Sequence, residues 1–280
     1  MSVGSPAMNR PVQMERPSDS ASGGLPGAPI IDVQNVSKRF GTAGAGVAAL
    51  QNVSLGVQPG EFVSLIGPSG CGKSTLLRLI GDLLQPSDGR LLRRGQTPEQ
   101  ARTDREYGIV FQSPVLYDWR TVRRNVELPL ELMRTPKAER ELRSSQMLDL
   151  VGLRDFQDRF PWQLSGGMQQ RVSIARALSF SPAILLMDEP FGALDEMTRD
   201  RLNLELLNIW ARTNTTIIFV THSIAEAVFL STRVVVMTPR PGKIEKIIAV
   251  DLPRPRGVDT RELTRFFELV TEVRECLRES

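Results

Sequence analysis

Gly67-Pro68-Ser69-Gly70-Cys71-Gly72-Lys73-Ser74 is the stretch that most narrows what this chain can fold into. It matches G-x-x-x-x-G-K-[ST] and follows an apolar, strand-sized run, Phe62–Ile66. After it, Leu76, Leu77, Ile80, Leu83 and Leu84 recur at helical spacing. Strand, glycine-rich turn and helix, in that order, form an anion cradle. The glycines let the backbone curl so that successive N–H groups point inward, and the helix beginning near Lys73 adds its positive end. Lys73 brings a full charge to the β and γ phosphates of a nucleotide, and the Ser74 hydroxyl can ligate Mg²⁺. Cys71 stands where the motif accepts any residue and reads as a space-filler.

The surrounding pattern extends that unit into an α/β domain. Ile109–Phe111, Ile184–Met187, Ile217–Val220 and Val234–Met237 have the length and apolar run of central strands in a parallel sheet, with helical segments between them. Ile30–Val36 and Leu50–Val57 flank a Gly/Ala-rich loop, Gly41–Gly46, and read as an antiparallel β subdomain. Residues 113–163 are charged, rich in Leu and Arg, and helical in period, as an inserted α-helical subdomain would be. The expected division is a flexible N-terminal tail (1–29), a core domain (30–257) and a C-terminal helical extension (258–280) with Phe266, Val270 and Val273 on one side.

Composition closes off several alternatives. The 280 residues carry two cysteines, Cys71 and Cys276, which make no metal-ligand or disulfide framework, and one histidine, His222. No apolar run approaches the about 18 residues that cross a bilayer, so a membrane role would come through a partner. The net charge of +3 is too mild to argue for a nucleic-acid partner, which clustered basic charge would favour.

Ile184-Leu185-Leu186-Met187-Asp188-Glu189 is an apolar strand ending in two carboxylates. In a parallel sheet ligands gather at the carboxyl ends of strands, where Ser74 also falls. Asp188 is placed to hold Mg²⁺ through water, and Glu189 to polarise the water that attacks the terminal phosphate.

A second glycine-led helix start, Leu164-Ser165-Gly166-Gly167-Met168-Gln169-Gln170, separates this chain from other nucleotide hydrolases. With it, residues 31–250 resemble the ATP-binding-cassette (ABC) family: a P-loop NTPase fold with a parallel-sheet core. The resemblance implies that ATP is bound with Mg²⁺ by Gly67, Pro68, Ser69, Gly70, Cys71, Gly72, Lys73, Ser74 and Thr75, with Phe40 stacking on adenine. It implies that Ser165, Gly166 and Gly167 close over the γ-phosphate held by a second copy of the chain, with Asp195 as the D-loop aspartate. Gln112 would sense Mg²⁺ and the attacking water, and His222 would contact the γ-phosphate beside Glu189 and Lys73. Met168 replaces a common glutamine, and Phe40 a commoner tyrosine.

Two tasks fit such an ATPase. The first is the motor of an ABC importer, peripheral on the cytoplasmic face of the inner membrane. It would homodimerise on ATP to drive permease subunits fed by an extracytoplasmic solute-binding protein. The second is a soluble ABC-type ATPase acting on nucleic acid; relatives of that kind insert coiled coils or zinc modules, for which residues 113–163 leave little room. Residues 119–126, Thr238-Pro239-Arg240-Pro241-Gly242-Lys243-Ile244 and Leu252-Pro253-Arg254-Pro255-Arg256 resemble the nitrate, sulfonate and taurine importer ATPases, a group that includes importers of pyrimidine-type precursors. The solute itself is not written in such a subunit.

Overall fold

The apolar runs become strands of a sheet covered on both faces. A computed structural model describes residues 27–41 and 46–279. Most of the expected tail and the middle of the Gly41–Gly46 loop lie outside the described residues. In chain order the elements are β1 (Ile31–Phe40), β2 (Val47–Val57), β3 (Phe62–Ile66), α1 (Lys73–Ile80), β4 (Asp88–Arg93), α2 (Pro98–Thr103) and β5 (Tyr107–Val110). Then follow α3 (Val122–Leu132), α4 (Lys137–Leu150), α5 (Gly166–Leu178), β6 (Ile184–Asp188), α6 (Glu196–Thr213), β7 (Thr216–Val220) and α7 (Ile224–Leu230). β8 (Arg233–Met237), β9 (Ile244–Ala249) and α8 (Thr264–Glu279) complete the chain.

The larger sheet runs β5-β6-β7-β3-β8-β9, with every pair parallel except β8–β9. Side chains alternate across its strands and feed two separate cores. Phe62, Leu185, Met187, Ile217 and Phe219 face a core shared with α5, α6, α7 and α8. Val63, Leu65, Ile184, Leu186 and Ile218 face a core shared with α1 and the smaller sheet. Burial on both faces explains the unbroken apolar runs. Each such side chain contributes about 1.5–3 kcal/mol relative to exposure.

The smaller sheet is antiparallel, ordered β2-β1-β4. Between β5 and β6 stand α3 and α4, joined by a buried hydrogen bond from Ser144 Oγ to Glu127 Oε1 (3.2 Å). α5 is tied back to the segment after β5: Gln170 Nε2 donates to Phe111 O (3.1 Å), and Arg176 donates to the carbonyls of Pro114 and Val115.

Several local expectations change. α1 stops at Ile80, where Gly81 caps it and Asp82 takes a positive φ of 53°. Leu83 is therefore exposed rather than on the helix's apolar face. The strand expected at Ile109–Phe111 ends at Val110, and it forms the sheet's edge instead of its centre. β4 and β9 were not anticipated. β4 reads Asp-Gly-Arg-Leu-Leu-Arg, and β9 places the exposed Glu245 and Lys246 side by side, so neither carries a continuous apolar run.

Candidate active site

β3 delivers the chain directly into the phosphate loop. Gly72 has φ +103°, and a Cβ there would lie 2.6 Å from Leu50 Cδ2 and 2.9 Å from Ala49 O, so only glycine fits. Leu76 N then donates to Gly72 O (2.8 Å) and α1 begins. Lys73 is 4% exposed; its Nζ donates to Gly67 O (2.8 Å) and Pro68 O (3.0 Å). The ammonium is thereby held by the loop it follows, ready to exchange those carbonyls for a stronger, charged acceptor. The Cys71 side chain is fully buried in the core beneath the loop, so only its backbone is available to a ligand. Its role as a space-filler is what the packing shows.

Ser69, Gly70, Gly72, Lys73, Ser74 and Thr75 line one side of a cleft of about 340 Å³. Phe40, Val47, Glu189, His222 and Arg240 also line it. Phe40 is half-exposed at the end of β1, with Lys38 Nζ 5.3 Å from its ring centroid. A flat apolar face is therefore presented at the cleft, as stacking on a base requires.

Ser74 Oγ donates to Asp188 Oδ1 (2.7 Å), joining the start of α1 to the end of β6. These are hard oxygen donors in a largely buried position, and they fit Mg²⁺. Among the described residues no cluster of three or more His, Cys, Asp or Glu could hold a metal alone. An ion here would draw its other ligands from phosphate oxygens and water, as Mg²⁺ commonly does, and would supply neutralisation of phosphate charge.

After Asp188 the chain leaves the sheet sharply. Glu189 has φ +48°, an uncommon conformation for a non-glycine residue, and its N–H bonds to Val220 O (3.1 Å). That turn carries the Glu189 carboxylate to His222, whose Nε2 lies 2.7 Å from Glu189 Oε1. His222 is fixed by its neighbours. Thr221 Oγ1 donates to the buried carboxyl of Glu226 and accepts from Ser223 N (3.0 Å), while Ser223 caps α7. Burial pushes the Glu226 carboxyl above its ordinary value, more than its hydrogen bonds and nearby arginines lower it. Nothing in the residue order of α7 marks Glu226 as buried.

The other candidate residues lie outside the cleft's lining. Gln112 follows β5, and its Nε2 approaches Gly192, close to where Glu189 Oε2 also points. Among the described residues it has no hydrogen bond to Ser74 or Asp188. Ser165 caps α5, its Oγ accepting from Met168 N (3.4 Å); Ser165 and Gly166 are exposed, and Gly167 is buried. The Met168 side chain packs on the core instead of pairing with a polar group. Asp195 caps α6 through Thr198 N (2.9 Å), and that hydrogen bond holds its carboxyl below the ordinary value. Both residues thus carry a local structural duty.

The profile of the ABC transporter family matches residues 50–192. The chain belongs to that family. This ABC ATPase is 45% identical over 217 residues to the taurine import ATP-binding protein TauB of Roseobacter denitrificans, covering 77% of this chain and 80% of that one. It is 41% identical over 254 residues to the nitrate import ATP-binding protein NrtD of Synechocystis, covering 89% and 95%. Its fold matches the dimeric post-hydrolysis state of an ATP-binding cassette bound to ADP and phosphate, with TM-score 0.67 and 34% identity over 81% of this chain and 99% of that one. Among the described residues of this cassette, no helix is long and apolar enough to cross a membrane.

Proposed function

We propose that this cassette is the motor of a solute importer of nitrate, sulfonate, taurine or pyrimidine-precursor type, closing as a homodimer beneath permease subunits. The observation that carries the two-copy reading is a separation. The phosphate loop, Glu189 and His222 line one cleft, whereas Ser165 and Gly166 are exposed outside it. Each copy would therefore offer half of each site, its Ser165-Gly166-Gly167 helix start facing the phosphates held by the other. Asp195 would lie at the same junction.

In this reading Lys73 and the loop N–H groups hold the phosphates, and Phe40 supports the base. Glu189 accepts a proton from the water that attacks the γ-phosphorus, while the bond to the β–γ bridging oxygen breaks and ADP leaves with that oxygen. His222 holds Glu189 in place and presents its ring toward the cleft. Gln112, beside Glu189, would relate the filled site to the helical segment α3–α4, through which permease contacts would be received. Lack of a membrane-crossing helix among the described residues fits a peripheral subunit on the cytoplasmic face, with solute choice left to a permease and an extracytoplasmic binding protein.

Affinity purification of the tagged chain from gently solubilised membranes of its native cell, with mass spectrometry of what accompanies it, tests this. A multi-span permease in near-equal amount, with a binding protein, supports the importer reading. Recovery in the soluble fraction with nucleic acid and no permease would replace it.

A further inference from the structure

The loop between β8 and β9, Thr238–Lys243, belongs to the proline–arginine stretch that resembles the nitrate, sulfonate and taurine importer ATPases. Its backbone is clamped to both the phosphate loop and the smaller sheet. Gly242 N donates to Ala49 O (3.0 Å), and Gln51 N donates to Gly242 O (3.0 Å). A Cβ on Gly242 would fall 1.8 Å from Cys71 O, so the loop presses against the phosphate loop as closely as a bare backbone can. Across the turn, Thr238 N donates to Lys243 O (3.0 Å), and Lys243 N returns a bond to Thr238 Oγ1 (3.0 Å).

From this clamped turn the Arg240 side chain reaches over the cradle. Its Nε donates to Gly70 O (3.3 Å), and the side chain lines the cleft. Among the described residues no carboxylate pairs with Arg240. A guanidinium oriented by a carbonyl, unpaired with an anion and set beside an anion cradle is an unspent charge-assisted donor. The Gly70 bond occupies one of its five N–H groups.

We propose that Arg240 is a second cation for the nucleotide's phosphates, supplied from the β8–β9 loop and acting beside Lys73. The inference rests on the reading of this cleft as the ATP site. Arg240 holds the outer edge of the phosphate loop through Gly70 and directs its Nη donors at phosphate oxygens that Lys73 does not reach. Its contribution should therefore grow with the number of phosphates and weaken with salt.

Calorimetric titration of the full chain with Mg-ATP, Mg-ADP and AMP, at low and high salt, tests the assignment on wild type, Arg240→Ala, Arg240→Lys and Lys73→Ala. Arg240→Ala is expected to weaken Mg-ATP binding about tenfold, the scale of one lost charge-assisted hydrogen bond, Mg-ADP less, and AMP by under about twofold. Arg240→Lys, which keeps the charge without the planar fork, should fall between, and remains informative if the alanine variant does not fold. Wild-type ATP affinity in folded Arg240 variants would overturn the proposal, as would equal losses for AMP and ATP, which mark a contact to the base, ribose or α-phosphate and none to the β and γ phosphates. If Lys73→Ala also bound ATP normally, the cleft reading itself would fail; a loss in Lys73→Ala alone would remove only Arg240.

Discussion

His222 Nε2 and Glu189 Oε1 stand 2.7 Å apart, each carried off the end of a neighbouring parallel strand. β6 and β7 pair in register from Ile184↔Thr216 to Asp188↔Val220, so the two side chains leave the sheet together. The contact engages one Glu189 oxygen and leaves Oε2 outside it; in the proposed mechanism that division gives His222 the holding of Glu189 and Oε2 the proton from water.

Glu189→Gln should keep ATP affinity within about threefold while turnover falls by about 100-fold or more, the usual contribution of a general base. Steady-state hydrolysis beside equilibrium titration checks this. Turnover close to wild type would move the base elsewhere.

His222→Ala should lower turnover by about tenfold or more with a smaller effect on ATP affinity, because it removes the group that holds Glu189. If the loss appeared in affinity and not in turnover, His222 would belong to binding.

Asp188→Asn should raise the Mg²⁺ concentration that half-saturates hydrolysis by about tenfold, since one charged oxygen donor is replaced by a neutral one. A Mg²⁺ titration at fixed ATP reads this directly. An unchanged midpoint would show that the Ser74–Asp188 bond is structural only.

Glu226→Gln concerns stability. Burial raises the folded-state pKa of Glu226 above its ordinary 4.5, so as pH rises the unfolded chain gives up this proton first. The stability it contributes is full below about 4.5 and declines as pH climbs through the raised value. The glutamine variant lacks that titration, so its Tm should fall less across the same pH window. Parallel Tm curves for the two proteins would contradict this.

What the sequence made legible was whatever a doubly buried strand or a phosphate-binding loop leaves in residue order. Phe62–Ile66 and the eight residues after it could be read because burial on both faces and a backbone nest each demand a narrow set of side chains. Ser165 stood out at a second glycine-led helix start, whereas Asp195 came only with the resemblance to the ABC family. β4 was hidden because Arg93 looks like a surface residue, yet it is fully buried, 3.1 Å from Glu106 and over the Tyr107 ring. Glu226 was hidden because a helix with one glutamate reads as having a wet face. Arg240 was hidden because a Pro-Arg-Pro-Gly stretch describes a turn equally well whether or not something lies beneath it. For Arg240 the deciding partner, Gly70, lies 170 residues away, whereas Glu226 meets Thr221 only five residues before it and is hidden by its burial instead.

The two-copy site is tested most directly by the mass of the Glu189→Gln protein in solution with and without Mg-ATP. Light scattering should give the 31.1 kDa chain without nucleotide and about twice that with saturating Mg-ATP, reversing when nucleotide is removed. A chain that stays monomeric at saturating Mg-ATP, with binding confirmed by titration, would contradict closure over a shared nucleotide and leave a single-copy ATPase.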